Sequence, residues 1–304
     1  MKPFENEIKA HLRCWRVVMK SILGLVLLVL IAVSVLMAQN PEDTTRKLWD
    51  TAFIGSSTAK KTTRRRASSY RLATPNVPTN NVAPETVVGV TLWRLRPARQ
   101  TDSGERLIVH EDNSDNEWIP ERISANTRLV QGDKLRISVE AVRGGYLYVI
   151  DREQYADGSV GEPYLIFPTT RTAGGDNQVG IGRLVEIPAQ DDNPPFFTMK
   201  KSRADHVAEV LSVIVTPTKL DGLQITDKAL KLTDAQVATW EKEWGSTVGN
   251  LEMTTAGQTW TKEEKDARTR ALTSSAPPPQ LVFYRPSVKP TEPMLVKLKL
   301  SYRR

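Results

Sequence analysis

Residues 132–168, GDKLRISVEAVRGGYLYVIDREQYADGSVGEPYLIFP, constrain the fold most tightly. Leu135, Ile137, Val139 and Ala141 alternate with Arg136, Ser138 and Glu140. A period of two sends successive side chains to opposite faces, so this stretch reads as a strand with one buried and one wet face. Gly144 and Gly145 then turn the chain. Residues 146–150 are β-branched and aromatic on both faces, which suits an inner strand, and the Asp157-Gly158 turn returns the chain into residues 164–167. The pattern predicts three consecutive strands.

The same grammar continues on both sides of this stretch. Short apolar or alternating runs at residues 87–95, 106–110, 135–142, 146–150, 164–167, 181–187, 207–216, 281–284 and 295–302 are separated by Gly, Pro, Asn and Asp. In the last run Val296, Leu298, Leu300 and Tyr302 alternate with Lys297, Lys299 and Ser301, which predicts a structural strand with one lysine-bearing wet face. Residues 227–272 break the pattern. There Thr233 with Gln236 forms a capping-box signature, Leu232 with Val237 a hydrophobic staple, and Val237, Trp240 and Trp244 a stripe expected to face the core; Gly245 ends the helix. A second helix is expected from Thr261, capped with Glu264, to about Leu272. The expected class is mainly β, an antiparallel β-sandwich or partly open barrel in residues 87–304, with a small helical insertion near residues 227–272.

Residues 21–38, SILGLVLLVLIAVSVLMA, carry no charge and follow Lys2, Lys9, Arg13, Arg16 and Lys20. An apolar run with a basic front predicts a signal peptide or an uncleaved amino-terminal membrane anchor. Starting at Met19 would leave a compact signal peptide cleaved after Ala38, although Leu36 stands where a small residue is usual. Either form places the remainder on the exported side of the cytoplasmic membrane, in the cell envelope. Residues 39–86 are rich in Ser, Thr, Asn, Pro and basic residues and poor in large apolar ones, the composition of a disordered tether. Within it Lys60, Lys61, Arg64, Arg65, Arg66 and Arg71 suit contact with anionic lipid or wall polymer.

The net charge of +7 belongs to these first two segments, because residues 87–304 carry as many acids as bases. That balance argues against a specific nucleic-acid partner. The only cysteine, Cys14, precedes the apolar run, so the exported part can form neither an internal disulfide nor a thiolate metal site.

Gly132-Asp133, Gly145-Tyr146-Leu147-Tyr148-Val149, Leu165-Ile166-Phe167-Pro168, Asn177 with Gly182, and Ile187-Pro188 followed by Phe197 occur in an order and spacing that resembles the bacterial domain-of-unknown-function family numbered 4384. The resemblance covers about residues 125–217. It implies a β-rich accessory module, sometimes attached to serine/threonine kinases or caspase-like peptidases and sometimes exported alone. It brings no catalytic residues to transfer.

Motifs for chemistry are sparse. His110 and His206 lack metal-ligand spacing, and no Walker A loop, dinucleotide GxGxxG or GxSxG elbow occurs. Gly180-Ile181-Gly182 reads as a strand-edge bend and Asp191-Asp192 as part of a loop. Residues 151–162 have the length of a calcium loop with oxygens at Asp151, Glu153, Asp157 and Glu162. Ala156, however, replaces the turn glycine and Tyr155 replaces a ligand. A solvated hairpin loop is the expected reading, with Asp151, Arg152, Tyr155 and Asp157 as candidate contacts for a protein or glycan partner. The sequence nominates no catalytic, cofactor or metal residue. It points to an envelope-exposed, non-catalytic module that binds or scaffolds an envelope protein or polymer. The alternatives are a hydrolase of an envelope polymer or an accessory module for a separate kinase.

Overall fold

In the computed structural model, β1 (Thr86–Pro97) is the spine of the first sheet, because its length lets it pair with three strands. The structure describes residues 86–111, 114–245, 249–267, 271–272, 276–285 and 292–303. The apolar run at 21–38 and the basic linker lie outside these residues.

After β1 come β2 (Leu107–Glu111), β3 (Ser114–Arg122), β4 (Lys134–Ala141), β5 (Gly145–Tyr155), β6 (Tyr164–Phe167), β7 (Gln178–Val179), β8 (Leu184–Ile187), β9 (Phe197–Thr198), β10 (His206–Thr216) and β11 (Leu230–Lys231). Helix α1 (Asp234–Trp244), β12 (Gly249–Glu252), the one-turn helix α2 (Lys262–Asp266), β13 (Leu281–Arg285) and β14 (Met294–Ser301) complete the set. The first sheet runs β12-β13-β1-β3-β2, with β4 on the other edge of β1 and β8 and β9 beyond it. The second runs β11-β6-β5-β10-β14, with β7 also beside β5. Every pairing between these strands is antiparallel, as the alternating sequence predicts.

Inward-facing residues of both sheets share one core. Val88, Val90 and Leu92 of β1 and Ile137 and Val139 of β4 meet Leu147 and Val149 of β5, Val213 of β10 and Val296 and Leu298 of β14. The opposite face of β5 is buried too, since Tyr148 and Ile150 pack with Ile214, Leu232 and Val237 under α1. β5 is therefore the inner strand that its two-sided apolar composition predicts.

The three consecutive strands do not form one meander. β4 and β5 belong to different sheets, so the chain at Gly144 crosses between layers rather than turning a hairpin. A Cβ on Gly145 would lie 2.3 Å from the Thr216 carbonyl oxygen, so only glycine allows β5 to start this close to the end of β10.

The wet face of β4 is also corrected. Arg136, Ser138 and Glu140 are buried, because the chain after β12 and the segment after β8 cover them. Trp93 lies between Arg122 of β3 and Arg136 of β4 in the strand register, and its Nε1 donates to Ser138 Oγ at 2.8 Å. The Arg122 guanidinium stands over the Trp93 ring at 5.2 Å, and that of Arg136 over the Trp260 ring at 5.2 Å. Each arginine has a buried carboxylate, Glu264 at 2.6 Å and Glu186 at 3.2 Å.

Three further expectations change. The strand expected over 181–187 starts only at Leu184, because Gly182 takes φ 74° in a turn. β3 went unforeseen because Pro120 and its charges hide the period, yet β1 and β2 pair with it on both edges. The insertion contains β11 and β12 as well as helices, and α2 ends at Asp266. Its capping box is complete, whereas in α1 the Thr233 side chain accepts from the Gln236 N–H. Trp240 and Trp244 stack at 5.4 Å and pack against the cluster containing Val237, as the helical stripe predicts.

Candidate functional site

The pairing of β5 with β10 sets Val149 opposite Val213, then Asp151 opposite Leu211 and Glu153 opposite Glu209. Alternation keeps Asp151, Glu153 and Glu209 on the face that holds Val149 and Val213, so the core-facing surface becomes acidic toward this end of the sheet. A register shift between His206 and Ala208 then sets His206 opposite Tyr155. A parallel bridge between Leu129 and Tyr302 extends the end of β14.

His206 is fully buried. Its Nδ1 accepts from the Ser202 backbone N–H at 3.3 Å, which leaves the ring proton on Nε2, 3.0 Å from the Ala208 carbonyl and 3.3 Å from Glu209 Oε1. Tyr302 and Tyr155 meet the imidazole edge-on at 5.0 and 5.9 Å. The Tyr302 hydroxyl lies 3.0 Å from Glu209 Oε1 and 2.9 Å from the Lys200 carbonyl, and its one proton serves the two acceptors. Glu153 Oε2 accepts from the Tyr155 hydroxyl and, at 2.7 Å, from Ser202 Oγ.

Burial, reinforced by the charges of Glu209 and Glu153, pushes the Asp151 carboxyl up to about 8. Glu209 is raised too: burial outweighs the lowering influence of His206 and of the Tyr302 hydroxyl. Glu153 moves the other way. Burial would raise it, but hydrogen bonds from Tyr155 and Ser202, with His206 and the Arg203 charge nearby, leave it below the ordinary value. Burial and the neighbouring carboxylates lift the Tyr302 phenol far above its ordinary range. Asp151 Oδ1 and Glu209 Oε2 are closed off from solvent without a hydrogen-bond partner. A protonated Asp151 avoids placing a second unpaired charge there.

The structure does not assemble the sequence-derived contact loop. Asp151, Arg152 and Tyr155 belong to β5, not to a loop, because the strand continues past Ile150 in register with β10. Arg152 is engaged by the Gly161 carbonyl at 3.1 Å and by Asp234, and the Tyr155 ring is covered by the Arg203 guanidinium at 3.4 Å. Asp157 alone lies in the exposed turn, where its Oδ1 accepts from the Ser159 N–H and hydroxyl at 2.9 and 2.6 Å. Glu162 pairs with Lys231. Of the four oxygen-bearing residues of the calcium reading, Glu153, Asp157 and Glu162 thus have separate partners and Asp151 Oδ1 is closed off from solvent within β5, and among the described residues no group of three or more His, Cys, Asp or Glu could hold a metal ion. His110 is an exposed residue of β2 beside Asp115.

Beside the buried cluster opens a cleft of about 750 Å³ lined by Arg128, Lys201, Lys299, Arg303, Tyr155 and Tyr302, among others. Among the described residues, its one lining carboxylate, Asp205, is held by Arg203 at 2.7 and 2.9 Å. Sequence reading missed this grouping. Of its lining, sequence reading singles out only Tyr155 as a contact and the alternation of Lys299 with Leu298 and Leu300, since Arg128, Lys201 and Tyr302 arrive from segments far apart in the chain. Compared with known proteins, no family model, no curated protein and no solved structure matches the chain.

Proposed function

We propose that residues 86–303 form a non-catalytic binding module, held on the exported side of a membrane by the segment at 21–38, that engages another envelope component through the cleft at the end of the second sheet. The cleft carries this reading: it presents cations from three chain segments, while His206 and Tyr302 at its wall are buried and both engage Glu209. A filled sandwich with a charged surface cleft suits binding better than turnover. The resemblance of residues 125–217 to an accessory-module family belongs to the same reading.

The test uses tagged full-length protein in cells. After fractionation, protease added to intact spheroplasts should digest the chain beyond Gln39, and crosslinking should join the domain to an envelope protein or polymer. Protection in spheroplasts followed by digestion on lysis would place the domain inside and end the proposal.

One observation favours a hydrolase as the second reading. Asp151 and Glu153 occupy alternate positions on one strand face, their Cα atoms about 7 Å apart, with one carboxyl raised and the other lowered. An acid and a base divided in this way is the arrangement by which carboxylate pairs cleave glycosidic bonds. Release of sugars from an envelope polymer, abolished by Glu153→Gln, would support it. Undiminished binding with no release by the parent would remove it.

A further inference from the structure

We propose that the cleft beside Tyr302 binds a linear acidic polymer whose charges are phosphate or carboxylate groups and which carries no aromatic rings. This rests on the reading of the domain as a binding module and names the ligand class.

The geometry of the last strand carries the inference. Lys299 and Ser301 occupy the wet face of β14, between the buried Leu298, Leu300 and Tyr302, and the same alternation brings Arg303 to that face. Alternate residues on a strand are about 7 Å apart, so Lys299 and Arg303 form a row about 13 Å long. The parallel bridge sets a third cation alongside. Leu129 N–H donates to the Ser301 carbonyl at 2.9 Å and Arg303 N–H to the Leu129 carbonyl at 2.7 Å, so Arg128 stands next to Ser301. Lys201 closes the other side, its ammonium 5.3 Å from the Tyr302 ring centre.

These cations differ from most of the others in the domain. Arg96, Arg106, Arg122, Arg152, Arg183 and Arg203 each hold a carboxylate. Among the described residues, Arg128, Lys299 and Arg303 take part in no ion pair. In a charge-balanced domain, such a local excess attracts an anion without a general basic surface.

The tyrosines decide against single-stranded nucleic acid. Single-stranded nucleic acid is held by bases stacking on open aromatic faces. Here Tyr302 is buried, with His206 edge-on to it, and the Tyr155 face is occupied by Arg203. What remains is recognition of spaced negative charges by ammonium and guanidinium groups, with Ser301 available for a hydrogen bond.

The experiment uses the full chain in detergent, with Lys60, Lys61, Arg64, Arg65, Arg66 and Arg71 changed to Gln so that the linker does not contribute. Labelled inorganic polyphosphate, polygalacturonate and oligothymidylate of matched charge are titrated over a range of salt, and the chain reconstituted into detergent-free phosphatidylglycerol vesicles forms a fourth arm. Binding to polyphosphate or polygalacturonate should weaken at least about tenfold in Arg128→Glu/Lys299→Glu/Arg303→Glu. The slope of log affinity against log salt should drop by roughly two to three. Preference between the two polymers tells phosphate from carboxylate. Equal affinity of parent and variant, oligothymidylate binding as tightly as either polymer, or a variant effect confined to vesicles would each overturn the proposal. Should the triple variant fail to fold, single Lys299→Gln and Arg303→Gln changes give the same reading, with about a twofold to fivefold loss expected for each. Failed titrations alongside retained envelope crosslinks would sink this inference and leave the binding module standing.

Discussion

Arg122 Nη2 donates to Glu264 Oε1 at 2.6 Å with both side chains buried, so a single ion pair fastens the one-turn helix α2 to strand β3. Glu264 also caps α2 by accepting from the Thr261 N–H at 3.0 Å. Glu264→Ala leaves Arg122 as an unpaired buried cation and should cost about 3–5 kcal/mol. Glu264→Gln, which keeps an acceptor and the cap, should cost less. Urea midpoints of the two variants against the parent check the order, and equal midpoints would show that water replaces the carboxylate.

Val149 is fully buried at the centre of the shared core, opposite Val213. Val149→Asp should be among the most damaging single changes, since an unpaired charge there costs several kcal/mol or forces rearrangement. Loss of the near-ultraviolet circular dichroism signal at ambient temperature is the expected result; a normal signal and urea midpoint would contradict the burial.

Asp151 sets a pH dependence. Its folded-state value of about 8 lies above the ordinary carboxyl value, so between roughly pH 4 and pH 8 the folded chain holds a proton that the unfolded chain has released. Stability must therefore fall as pH rises through that window, by at most about 1.4 kcal/mol per pH unit for this one group. Glu209, also raised, acts in the same direction. Glu153 is depressed, so its contribution is present above the ordinary carboxyl value and is lost as pH falls through its folded value. Asp151→Asn mimics the protonated form and should flatten the decline measured by urea unfolding from pH 5 to pH 8. An unchanged slope would assign the dependence to Glu209, the other raised carboxyl of the cluster.

The carboxyl-terminal strand is structural. β14 pairs with β10 over eight positions and lends Val296, Leu298 and Leu300 to the core, while the Tyr302 hydroxyl reaches the Lys200 carbonyl. Deleting residues 294–304 uncovers one edge of β10 and opens the sandwich, so the product should be insoluble or unfolded. A truncated chain that melts like the parent would show that residues 86–293 form the folding unit.

The sequence by itself determined where β4, β5, β6, β10, β13 and β14 lie and which face of β14 is wet. A period of two and a turn residue are local signals, readable one strand at a time. It also determined the start of each helix, because Thr233 and Thr261 act within one turn. Only the tertiary structure decided that β4 and β5 join different sheets, since the crossing at Gly144 and a hairpin turn look alike in one dimension. Likewise Arg136, Ser138 and Glu140 read as wet, and became buried because Trp260 and Glu186 supply them with partners from distant segments. The cleft has the same origin. Arg128, Lys201, Lys299 and Arg303 are ordinary surface cations in the sequence, and they form one charged rim only because strand register and the Leu129 bridge place them side by side.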